Sequence, residues 1–135
     1  MTTDPPTDDR KPRIMLVWFD PAILAMLHEV LTLEGYRITA TQSARRALDR
    51  IQRSSHPYVV LMDNFHLRDE ICAFAAEVFA TPELHQRVRV IGVAIQYDAH
   101  LIALDAFIAM PFSVDGLLDP IAAACADLRA AVSHP

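Results

Sequence analysis

The chain has 135 residues, 53% of them hydrophobic and 21% charged, which suits one globular domain with a proper core and excludes a disordered chain. With 12 Lys and Arg against 17 Asp and Glu the net charge is −5, which argues against a dedicated nucleic-acid binder, where a basic face is expected. No apolar run reaches the roughly 20 residues a membrane span needs, and the opening Met1-Thr2-Thr3-Asp4-Pro5-Pro6 is no signal peptide, so a cytoplasmic protein without nucleic-acid or membrane partners is expected.

Residues 1–12 read as a disordered leader, from Pro5, Pro6, Asp8, Asp9 and Pro12, and residues 13–133 as one domain. Ile14 to Phe19 is a continuous apolar run, the mark of a strand buried on both faces. Asp20-Pro21 then starts a helix, Asp as the cap and Pro at the first helical position. Ile23, Leu24, Leu27, Val30 and Leu31 recur at helical spacing until Gly35 closes the helix. Arg37 to Thr41 is a short alternating strand, expected nearer an edge. Ser43 caps a helix to about Arg53, with Ala44, Ala47, Leu48 and Ile51 inward and Arg45, Arg46, Arg50 and Arg53 as a solvated face.

Tyr58 to Met62 is a second fully apolar strand, ended by Asp63. A helix is predicted over about Glu70 to Ala80, with Ile71, Phe74, Ala75 and Val78 inward, and Thr81-Pro82-Glu83 breaks the pattern. Val88 to Ile95 is the next apolar strand. Asp98 to Asp105 leaves room for about two helical turns. Ala106 to Met110 is a last strand, ended by Pro111. Ser113 to about Val132 is helical, and Pro120 is expected to start or kink the main helix there. This alternation implies an α/β fold: a parallel sheet with helices on both faces, in a doubly wound, flavodoxin-like arrangement.

Asp63 is the sharpest chemical candidate. It ends an apolar strand at the sheet's carboxyl edge, where a carboxylate can act as a nucleophile toward phosphorus; the plainer reading is an Asp that turns the chain into its loop. Cys72 and Cys125 have no CxxC partner and are expected to be core-facing free thiols. No His pairs with another His or with Cys at helical ligand spacing, so no metal site is expected. The three glycines form no phosphate loop.

Taken in order, Ile14-Met15-Leu16-Val17 before Asp20-Pro21, Leu33-Glu34-Gly35-Tyr36, Ser43-Ala44-Arg45-Arg46-Ala47-Leu48, His56-Pro57-Tyr58-Val59-Val60-Leu61-Met62-Asp63 and Met110-Pro111-Phe112 form a pattern. From about Pro12 to Val132 the chain resembles the receiver domain of two-component response regulators, the CheY-like domains. The resemblance implies a three-layer sandwich with a five-stranded parallel sheet of order 2-1-3-4-5. It also implies that Asp63 occupies the phosphoacceptor position.

Several positions depart from the family pattern. Trp18 and Phe19 stand where the family places the acidic pair that holds Mg²⁺, and Asp20 falls one place beyond. Ala94, with Ile95 the neighbouring choice, replaces the Thr or Ser at the end of the fourth strand. Met110 replaces the Lys, and Phe107 matches the aromatic switch position. The fourth-helix segment is shorter by roughly one and a half turns. A site so depleted of oxygens and cations is poor for Mg²⁺ and for a phosphoryl group.

A degenerate pseudo-receiver is therefore expected: not an enzyme, with no cofactor and no Mg²⁺. It would signal by binding a protein: a histidine kinase, another regulator, or a second copy as a homodimer. Leu101, Ile102 and Leu104 form the expected partner face, provided that they are exposed. Two alternatives stand beside this reading. One is a working phosphoacceptor at Asp63 with non-standard Mg²⁺ support. The other is a sensor of small apolar ligands in a pocket of Trp18, Phe19, Phe65 and Met110.

Overall fold

The computed structural model describes residues 12–63, 68–94, 104–110 and 112–133. In chain order the elements are β1 (Arg13–Val17), α1 (Pro21–Leu33), β2 (Ile38–Thr41), α2 (Ala44–Gln52), β3 (Tyr58–Asp63), α3 (Arg68–Ala80), α4 (Pro82–Arg87), β4 (Val88–Ala94), β5 (Ala106–Ala109) and α5 (Val114–Ser133), so α3 and α4 both lie between β3 and β4. The five strands form one sheet in the order β2-β1-β3-β4-β5, every pair parallel. This is the doubly wound α/β architecture that the sequence pattern implies.

Side-chain alternation along each strand divides the core into two layers. Met15, Val17, Val60, Met62, Val88 and Val90 pack with Ala47 and Ile51 of α2, Phe74 and Val78 of α3 and Leu84 of α4. Ile14, Leu16, Val59, Leu61, Ile91, Val93 and Ile108 pack on the other face with Leu27 and Leu31 of α1 and Leu117, Ile121 and Leu128 of α5. β3 is buried along its whole length, which is why its sequence is apolar without interruption until Asp63. Each aliphatic side chain buried this way contributes about 1.5–3 kcal/mol. β2 and β5 are the edge strands, and β2 is half-buried at Ile38, Thr39 and Thr41.

The helix ends follow from local chemistry. The Asp20 carboxylate accepts from Ala22 N at 2.8 Å and Pro21 opens α1. At the other end Gly35 takes φ +91°, Gly35 N donates to Thr32 O at 2.9 Å and Tyr36 N to Leu31 O at 3.2 Å. This Schellman arrangement needs a residue free to adopt left-handed backbone. Ser43 Oγ accepts from Arg46 N at the start of α2, and Ser113 Oγ accepts from Gly116 N at the start of α5.

Three expectations are corrected. Thr81-Pro82-Glu83 does not merely break the chain: it opens α4, with Pro82 in the first turn, where a missing N–H is no loss. α5 runs unbroken through Pro120 rather than starting there, held to the sheet by buried Leu117 and Ile121 on either side. Cys72 is exposed, because Ile71, Phe74, Ala75 and Val78 already define the inward face of α3, whereas Cys125 is buried as expected. The shortened fourth-helix segment lies mostly outside the described residues. Asp105 immediately precedes β5, its Oδ2 accepting from Val90 N at 2.7 Å and its N donating to Val90 O at 3.0 Å.

Among the described residues, no helix is long and apolar enough to cross a membrane.

Candidate functional site

At the carboxyl edge of the sheet, β1 pairs with β3 up to Val17 opposite Met62, and Asp63 pairs with Val93 of β4. The next residue of β1 is Trp18. Its N donates to Thr41 O of β2 at 3.2 Å, which extends strand-like pairing by one position. Alternation then places the indole on the same face as Leu16, in the layer under α1 and α5, where it is 2% exposed. Asp63 follows Leu61 by two residues and shares that face, 3% exposed. Trp18 and Asp63 thus occupy adjacent positions of neighbouring strands.

Phe19 is directed elsewhere. It is 54% exposed, and its carbonyl accepts from Gln42 Nε2 at 2.7 Å, which ties the loop before α1 to the loop before α2. This corrects the expectation that both aromatics share a pocket. Once Trp18 is held inward by the bond to Thr41, the following residue must turn out. Asp20 is engaged as the α1 cap.

Ala94 is buried, and its carbonyl accepts from Met110 N at 2.8 Å. Met110 is half-buried against the layer that holds Trp18. Phe107 is half-buried on β5, in register with Gly92 and one residue out of phase with Ile108. Phe65, Leu101 and Ile102 lie outside the described residues. Leu104 packs against the α2–α3 layer, so this member of the expected partner face is committed to the core.

The structure therefore brings Asp63, Trp18 and Met110 to one face of the sheet edge and turns Phe19 away. Trp18 and Met110 pack into the core layer itself. The described cavities, of about 600 and 380 Å³, are lined by other residues.

A hard cation takes oxygen ligands; the indole and phenyl of Trp18 and Phe19 offer none, and an Asp20 oxygen is hydrogen-bonded to its helix N-terminus. Among the described residues, no three His, Cys, Asp or Glu side chains gather where they could hold a metal ion.

Sequence reasoning missed Gln42, for which the chain carries no signal. It also missed Arg87, which with Asp63 makes up the buried charged residues among those described. Arg87 lies at the amino edge of the sheet, where Nη1 donates to His56 O at 3.1 Å and Nη2 to Ile51 O at 2.9 Å, while Nε pairs with Glu83. The Glu83–Arg87 spacing was its only trace in the sequence.

Solved structures with this architecture are numerous. The signal receiver domain of an HD domain-containing protein from Pseudomonas fluorescens superposes with a TM-score of 0.78 at 18% identity, covering 93% of this chain and 95% of that one. The fold is that of a receiver domain. The receiver domain of a sensor histidine kinase from Pseudomonas aeruginosa, solved with a magnesium ion coordinated in its active site cleft, gives 0.72 at 20% identity, over 85% of this chain and 98% of that one. The response regulator TrrA from Thermotoga maritima, in complex with Mg²⁺-BeF, gives 0.70 at 22% identity, over 83% and 97%. No protein-family profile and no curated protein sequence matches this chain.

Proposed function

We propose that this receiver-fold chain serves two-component signalling in the cytoplasm as a pseudo-receiver, working by protein–protein contact without phosphorylation, without Mg²⁺ and without enzymatic activity. Its partner is a histidine kinase, another regulator or a second copy of itself. The observation that carries the reading is the buried indole of Trp18 beside Asp63, at the position where a charged, metal-holding side chain would be needed. A phosphoryl group on Asp63 would bring about −1.5 to −2 of charge to a buried position beside the indole of Trp18. Phosphoryl transfer depends on positioning and charge stabilisation, and Met110 and Ala94 supply neither a cation nor a hydroxyl.

The test is incubation with acetyl phosphate and Mg²⁺ followed by intact-mass spectrometry. No phosphoryl adduct is expected, and Trp18 fluorescence should stay flat as Mg²⁺ is added. A stoichiometric adduct that disappears in Asp63→Asn would replace this reading with that of a working phosphoacceptor. Partner capture that survives Asp63→Ala supports the proposal, and capture lost with the fold intact contradicts it.

A further inference from the structure

The arginines of α2 acquire a companion in the folded chain. Arg46, Arg50 and Arg53 line a groove of about 600 Å³ beside edge strand β2, and Arg13 of β1 joins them from more than thirty residues away in sequence. Asp49 is the sole carboxylate of the lining, and Thr39 and Ser54 add hydroxyls. None of the four arginines forms an ion pair with a carboxylate of the described residues. Four like charges around one concavity repel one another, and they do so in a chain whose net charge is −5.

We infer that this groove is a binding site for a small multiply charged anion carrying a di- or triphosphate. Guanidinium groups present forked donors that match phosphate oxygens two at a time. A cavity of this size lies within the usual range for small-molecule sites, about 300–1,000 Å³. The net negative charge of the chain disfavours a long polyanion, whose attraction depends on an extended basic surface, so a compact ligand fits and a nucleic acid does not. The site is independent of Asp63. Its lining includes Arg13 and Tyr58 at the amino ends of β1 and β3, whereas Asp63 closes the carboxyl end of β3.

Calorimetric titration of the full chain with ADP and, separately, with inorganic pyrophosphate tests the assignment, in metal-free buffer of low ionic strength. Both are expected to bind, and more weakly as salt is raised. Arg46→Ala combined with Arg50→Ala should weaken both by about tenfold or more. Asp49→Asn should tighten both. Arg45→Ala should change neither, because Arg45 lines the separate cavity between α2 and α3. The inference is overturned if neither anion binds up to about 10 mM, a level weaker than ordinary ligand affinities. It is overturned equally if the double variant binds as well as the parent, or if ADP binds while pyrophosphate does not.

Discussion

Trp18 and Asp63 stand side by side on β1 and β3, one indole and one carboxylate on the same buried face, 2% and 3% exposed. The neighbouring Phe19 is 54% exposed, so two adjacent aromatics have opposite structural roles. Trp18→Ala is expected to cost about 3–5 kcal/mol through the cavity it leaves. Phe19→Ala should stay within about 0.5 kcal/mol. Urea denaturation at constant m-value measures both, and equal losses would mean that Phe19 is packed after all.

Arg87 closes the opposite end of the molecule. Its guanidinium serves the carbonyls of Ile51 and His56, so it ties the end of α2 and the following loop to α4. Arg87→Ala leaves the buried Ile51 carbonyl and the part-buried His56 carbonyl without this donor and should cost on the order of 3 kcal/mol. Arg87→Lys should recover little, because one ammonium cannot reproduce the fork. Glu83 is 65% exposed, so solvent screens its pairing with Arg87, and Glu83→Ala should cost about 1 kcal/mol or less. A larger loss for Glu83→Ala than for Arg87→Ala in thermal melts would show that the ion pair, not the carbonyl bonds, holds this corner.

Pro120 lies well inside α5, where it has no N–H to donate to Gly116 O one turn earlier. Pro120→Ala restores that donor and removes ring crowding, offset in part by greater freedom of the unfolded chain. A net gain of about 1 kcal/mol is expected in chemical denaturation. A loss would show that the ring's packing outweighs the missing bond.

The central strands were legible because both-faces burial requires unbroken apolar runs, and Ile14–Val17 and Tyr58–Met62 supply them, whereas the strand order followed from the resemblance to receiver domains. The ends of α1 were legible because Asp20-Pro21 and Gly35 each satisfy a specific backbone need. The direction of Phe19 was not. It depends on one hydrogen bond from Trp18 to an edge strand more than twenty residues away, and apolar character alone does not separate an inward ring from an outward one. α4 was missed because Pro82 suits the end of one helix and the first turn of another equally well. The arginine groove was hidden for a related reason: α2 reads as an ordinary solvated face until the sheet brings Arg13 beside it.

Tyr36 supplies a pH dependence with a definite sign. Burial of its phenol, reinforced by the nearby Cys125 thiol and by Glu34 and opposed by Arg129, raises its pKa above the ordinary tyrosine value. The unfolded chain therefore releases this proton first as pH rises. The contribution to stability is fully present below the unfolded value, near 10, and is lost as pH climbs through the folded one. Stability should fall more steeply above about pH 10 in the parent than in Tyr36→Phe, which has no proton to release there. Denaturation midpoints of the two proteins between neutral pH and pH 11 measure the difference. Parallel curves would mean that the phenol is as well solvated in the folded chain as in the unfolded one.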